Sequence, residues 1–137
     1  MLVLQRFLSL DFFNKNIGKV HLEGAIGTGT LSSYILIFRK IFFKANDFSF
    51  YGVDYAPEML NGAKAKLKGK NIFIEHGDLT QLKFSNHFFD TINLANSFHT
   101  IKDIENALKD LNRVLKPDGT IAMNVLIYPQ SNGFLDI

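Results

Sequence analysis

The residues best suited to chemistry lie in one short run, EGAIGTGTLS at 23–32. Glu23 is a carboxylate, Gly24, Gly27 and Gly29 free the backbone, and Ala25 and Thr28 stand between them. Glycines let a ligand approach the main chain and admit positive φ. The N–H groups of a following helix start attract negative charge. Such a loop fits a phosphate, a dinucleotide, another nucleoside ligand, or simply a tight turn. No Gly-Lys-Ser/Thr follows the glycines, which argues against a P-loop. A dinucleotide fingerprint would need its third glycine where Ser32 stands. Asp54 follows Gly29 by 25 residues, roughly right for a ribose-binding acid. Glu23, however, would repel a pyrophosphate and suit a cationic ligand. Taken alone, Asp54 also reads as a helix cap and Asp78 as a surface turn residue.

The elements around these residues alternate. Residues 2–13 have the spacing of an amphipathic helix. KVHLEG (19–24) reads as a buried strand, and TLSSYILIFRKIFFK (30–44) as a helix capped by Thr28 or Thr30. DFSFYGVD (47–54) is a second strand, and APEMLNGAKAKLKG (56–69) a helix with Pro57 in its first turn. NIFIEHGD (71–78) and FFDTINLAN (88–96) are further strands. KDIENALKDLNRVLK (102–116) is the clearest helix, PDG (117–119) a turn, and TIAMNVLIY (120–128) a fifth strand.

Strands alternating with helices predict βαβ units and a parallel sheet. Ligands of such sheets sit beyond the carboxyl ends of the strands. The loop after Glu23, then Asp54, Asp78, and Ala95 with Asn96, fall at four successive strand ends. This clustering predicts a ligand site before any family is considered.

Bulk properties narrow the class. With 137 residues, the chain supports one domain: a core at 18–127, an N-terminal helix within 1–17 and a tail at 128–137. Hydrophobic residues at 47% fit a soluble globular protein, and a net charge of +2 gives no reason to expect nucleic acid or a membrane surface. Arg39 and Lys40 interrupt the longest apolar runs, too short to span a bilayer. Cysteine is absent, which excludes thiolate catalysis and Cys-based zinc sites and fits a cytoplasmic location. No His pair has metal-ligand spacing, so no metal is expected. The lysines at 64, 66, 68 and 70 read as a solvated face.

Taken together, these segments resemble class I S-adenosylmethionine-dependent methyltransferases over about residues 18–127. VHLEGAIGTGT is similar to the family's glycine motif, YGVDYAPEML to the second, and EHGDLTQLKF to the third. HFFDTINLANSFHTIKDIENALKDLNRVLKPDGTIAM resembles the remaining core, including the Leu-Lys-Pro-x-Gly turn. The resemblance implies a Rossmann-like, doubly wound α/β sheet of five strands in the order 3-2-1-4-5. It also implies S-adenosylmethionine as cofactor. Asp54 would take the ribose hydroxyls, with Tyr55 and Met59 flanking the adenine. Asp78 would accept from the adenine amino group beside Leu79. Glu23, Gly24, Ala25, Gly27, Thr28 and Gly29 would surround the methionine end, where a sulfonium and an ammonium favour a carboxylate. Ala95 and Asn96 would close the site. Methyl transfer is a direct displacement, so alignment matters most and a base is optional. His99 is the one candidate for a catalytic side chain.

Two departures stand out. Ala25 occupies a usual glycine position, and the chain reaches Ile137 soon after the fifth strand, without the family's strands 6 and 7. An exposed fifth-strand edge is then expected, covered in a homodimer, by the tail, or by what a truncated chain lacks. The expected function is methyl transfer to a small molecule. A degenerate module acting only by association is the alternative, and an NAD-dependent oxidoreductase a more remote one.

Overall fold

The computed structural model describes residues 2–44 and 47–125. Five strands form one sheet: β1 (Val20–Gly24), β2 (Ser49–Asp54), β3 (Phe73–His76), β4 (Phe89–Leu94) and β5 (Leu115–Met123). All neighbours pair in parallel and the order is β3-β2-β1-β4-β5, as the resemblance implied. The helices are α1 (Leu2–Lys15), α2 (Thr30–Phe42), α3 (Pro57–Lys66) and α4 (Ile104–Val114).

Strand alternation divides the core into two layers. Leu22, Val53, Ile92 and Leu94 pack with Ala107, Leu111 and Val114 of α4. On the other side Phe50 joins Phe13 of α1, Ile35 and Leu36 of α2 and Ala63 of α3. Each fully buried side chain of this size stabilises the fold by roughly 1.5–3 kcal/mol.

The second layer also holds polar groups. His21, Glu23 and Asn93 are at most 2% exposed. Asn93 Nδ2 donates to Glu23 Oε1 at 2.8 Å and to the Phe13 carbonyl at 3.3 Å. Asn16 Nδ2 in turn donates to Asn93 Oδ1 at 3.0 Å. Burying polar groups is costly unless they are paired. Here the pairing also pins the end of α1 to the sheet.

Several boundaries differ from the sequence reading. Neither Thr28 nor Thr30 caps α2; Gly29, at φ 73°, holds that position without a side-chain bond. Asp103 caps α4, its Oδ1 accepting from Asn106 N at 3.2 Å. The expected helix over 102–116 ends at Val114, and the expected PDG turn lies inside β5. Leu115 pairs with Phe89 and Thr120 with Thr91, so residues 116–119 bulge out opposite Asp90. Lys116 Nζ donates to Asp90 Oδ1 at 2.6 Å across the bulge. A Cβ on Gly119 would lie 2.8 Å from the Asp90 carbonyl, so the bulge requires glycine there. Turn-forming residues thus serve a bulge rather than an end of the strand. The third strand spans only 73–76, not 71–78. The fifth ends at Met123, and the expected tail at 128–137 lies outside the described residues. Among the described residues no helix is long and apolar enough to cross a membrane.

Candidate functional site

A cleft of about 850 Å³ opens beyond the carboxyl ends of β1, β2 and β4. The glycine loop forms one wall. Ala25, Gly27 and Gly29 all carry positive φ, at 53°, 59° and 73°. Only glycine adopts this region without strain, so Ala25 is held at a cost of about 1–2 kcal/mol. A Cβ on Gly27 would meet nothing within 4 Å, which marks an open side of the loop. Gly29 is different: a Cβ there would lie 2.7 Å from Leu67 of the segment after α3. Gly24 is likewise a packing residue, since its Cβ would lie 2.6 Å from Leu94. Neither Gly24 nor Gly29 lines the cleft, whereas Ala25, Gly27 and Thr28 do.

Asp54, at the end of β2, organises the opposite side. Its Oδ2 accepts from the Gly27 N–H at 2.7 Å and its Oδ1 from the Ala56 N–H at 2.9 Å. Each carboxylate oxygen retains a further lone pair. The side chain is fixed by two backbone donors and still able to accept from a diol. Tyr55 and Met59 follow on the same wall, 69% and 44% exposed, as apolar surface beside a polar anchor.

Asp78 lies two residues past β3 and lines the cleft with Leu79. Its Oδ1 accepts from the Thr80 N–H and hydroxyl, both at 2.8 Å. These bonds, the backbone one foremost, hold the Asp78 carboxyl below the usual range. It is an anion with a fixed orientation.

Ala95 and Asn96 complete the expected set. Asn96 N donates to Asn124 Oδ1 at 2.7 Å, and the Asn124 amide donates back to Asn96 Oδ1. This reciprocal pair ties the end of β4 to the residue after β5.

Besides Gly24 and Gly29, two expected residues, Glu23 and His99, lie away from the cleft. Glu23 does not line the cleft, because alternation along β1 places it with His21 in the buried polar layer. Its Oε1 is taken by Asn93 and by His21 Nε2 at 3.1 Å. His99 is exposed on a single 3₁₀ turn (Phe98–Thr100) and is not among the cleft residues.

Ser97, Thr100, Ile101, Lys102 and Asp103 do line it and were not singled out from the sequence. Their signal is topological, since the β4–α4 connection must cross the carboxyl end of the sheet. Among the described residues, the titratable groups facing the cleft are three carboxylates, Asp54, Asp78 and Asp103, against one ammonium, Lys102, with Tyr55 beside them. These acceptors suit a ligand with a diol and a positive charge, and disfavour a pyrophosphate. No group of three or more His, Cys, Asp or Glu among the described residues is placed to hold a metal ion.

Known proteins resemble this chain in sequence and in fold. The family described as "Methyltransferase domain" matches residues 22–123. A demethylmenaquinone methyltransferase of Lactobacillus johnsonii is 29% identical over 119 residues, covering 82% of this chain and 47% of that protein. The Staphylococcus haemolyticus enzyme of the same name is 39% identical over 71 residues, 51% of this chain and 30% of its own. The chain spans less than half the length of these curated relatives. Among solved structures, a SAM-dependent methyltransferase from Aquifex aeolicus aligns with TM-score 0.72 and 23% identity over 86% of this chain and 62% of its own. The PH0226 protein of Pyrococcus horikoshii aligns with TM-score 0.71 and 26% identity over 88% and 57%.

Proposed function

The chain belongs to the methyltransferase-domain family, and on that premise we propose that its cleft binds S-adenosylmethionine and serves methyl transfer to a small molecule. The observation that carries this reading is the carboxylate of Asp54, held by the Gly27 and Ala56 N–H groups at the rim of an acidic cleft. Bound there, the cofactor supplies an electrophilic methyl group on a sulfonium. Asp54 accepts from the two ribose hydroxyls. Tyr55, Met59 and Leu79 enclose the adenine, and Asp78 accepts from its amino group. The methionine end lies against Ala25, Gly27 and Thr28. Glu23 acts from beneath the loop as a buried support for the first strand, not as a direct contact.

Direct displacement at the methyl carbon needs alignment above all, so the chain's contribution is orientation and exclusion of water. His99 has no role in this reading. A small-molecule acceptor is in keeping with the demethylmenaquinone that names the relatives. Among the described residues β5 has one unpaired edge, and we propose a homodimer across it; light scattering after size exclusion reports its mass.

The test of the cofactor site is calorimetry with S-adenosylmethionine, its demethylated product and NAD. Micromolar binding of the first two and none of NAD supports the reading. Absence of binding to either would reject it and leave a non-catalytic module, a reading favoured by the strained Ala25 at the cofactor wall.

A further inference from the structure

Helix α2 is apolar on the side it turns away from the sheet. Ser32, Ile35 and Leu36 bury its inner face. Tyr34, Ile37 and Ile41 follow at helical spacing on the opposite face, 51%, 41% and 63% exposed. Phe42, the last residue of α2, and Phe43 just beyond it are also exposed, at 68% and 58%, with their rings against Phe38. A helix apolar on both faces is one that meets a partner on each. Exposed aromatic and branched apolar side chains grouped on one helix and its exit mark an interaction surface.

Charge identifies the partner. Lys40 and Lys44 are exposed beside the stripe. Arg39 turns inward instead, donating to the Asn14 carbonyl and Oδ1. The neighbouring α3 and its exit carry exposed Lys64, Lys66 and Lys68. Lys66 Nζ donates to Thr30 Oγ1 at 2.5 Å, which places α3 and the start of α2 in one layer. Residues 30–70 contain seven Lys or Arg against three Asp or Glu, while the rest of the chain contains eight against ten. One of those three acids, Asp54, points to the cleft. The modest net charge therefore averages a cationic helical layer with an acidic remainder.

We infer that the outer face of α2 is a docking surface for an anionic lipid bilayer. The helix lies in the plane of the interface. Tyr34, Ile37, Ile41, Phe42 and Phe43 enter the boundary between headgroups and acyl chains, and Lys40 and Lys44 meet the phosphates. A second copy on this face is disfavoured, because an isologous contact sets this cationic layer against another of the same sign. An anionic surface relieves that charge and buries the same apolar stripe. This assignment is independent of what the cleft binds.

Co-sedimentation of the full chain with vesicles tests it. Equimolar phosphatidylcholine and phosphatidylglycerol are compared with phosphatidylcholine alone. Partitioning onto the anionic vesicles is expected, weakening as salt is raised. Lys40→Gln with Lys44→Gln should weaken it about tenfold or more. Ile37→Gln with Ile41→Gln should abolish it. All four positions are exposed, so thermal unfolding should be unchanged and loss of binding will not reflect loss of fold. Absence of partitioning, equal partitioning onto neutral vesicles, or indifference to both double variants overturns the inference. So does a wild-type dimer that the isoleucine variant converts to monomer without any vesicle binding, which would assign the face to a second copy.

Discussion

The backbone N–H of Gly27 donates to Asp54 Oδ2 at 2.7 Å, across 27 positions of sequence. The bond joins the loop after β1 to the end of β2, which are adjacent strands. It sets the loop and the carboxylate in one fixed relation. Asp54→Ala removes the diol acceptor and leaves the Gly27 donor without its partner. Affinity for S-adenosylmethionine should fall by about 100-fold or more, since stranding groups paired with a charge costs roughly 2–3 kcal/mol. Calorimetry on a variant whose circular dichroism matches the parent measures it. Affinity within a few-fold of wild type would displace the ribose from Asp54.

Ala25 at φ 53° stores backbone strain. Ala25→Gly relieves about 1–2 kcal/mol of it and costs roughly 0.5–1 kcal/mol in unfolded-chain entropy. The variant should be more stable by about 0.5–1 kcal/mol, read as a shifted urea midpoint at constant slope. Gly27→Ala, placed at φ 59°, should move the midpoint the other way and weaken cofactor binding.

Asn93 holds Glu23 in the buried layer. Asn93→Ala removes the donor to a carboxyl that is 2% exposed. A loss of about 2–3 kcal/mol in unfolding free energy is expected from the unsatisfied group. Combining it with Glu23→Gln should recover part of that loss. Additive losses in the double variant would show that the two side chains are not coupled.

Asp110 Oδ1 accepts from Arg113 Nε at 2.6 Å, and its Oδ2 accepts from the Leu82 N–H. The Arg113 bond, ahead of the others, lowers the Asp110 pKa. A depressed carboxylate stabilises the fold above its unfolded pKa of about 3.9, and the effect fades as pH falls through the folded value. Stability should therefore drop from about pH 5 downward, with Asp78 and Asp90 acting in the same direction. Asp110→Asn should cost about 1–2 kcal/mol at neutral pH and make the acid limb shallower. Denaturant titrations at several pH values check the slope. An acid limb as steep as wild type would remove Asp110 from this account.

Much of the site was legible because strand ends are legible. Apolar runs that stop at an acid or a glycine gave Asp54, the loop and the region of Asp78. Glu23 illustrates the limit. Its type and position beside the glycines suggested a ligand contact, but its direction depends on pleat parity against β4. His99 is similar: a histidine beyond a strand is near a site in sequence, and one turn of 3₁₀ helix points it elsewhere. The residues Ser97 to Asp103 have no distinctive composition, and only the crossing of the connection over the sheet brings them to the cleft.

The sequence by itself determined the order of strands and helices, the family, and the acids at the end of β2 and just past β3. These depend on local periodicity and on short motifs, which neighbouring residues in the chain define. The tertiary structure decided which of those side chains share a space. It turned Glu23 into the buried layer, converted the PDG segment to a bulge, and gave α2 an apolar outer face beside a cationic layer. Such outcomes depend on which strands become neighbours and on which side each residue projects, and both are set by contacts between residues distant in the chain.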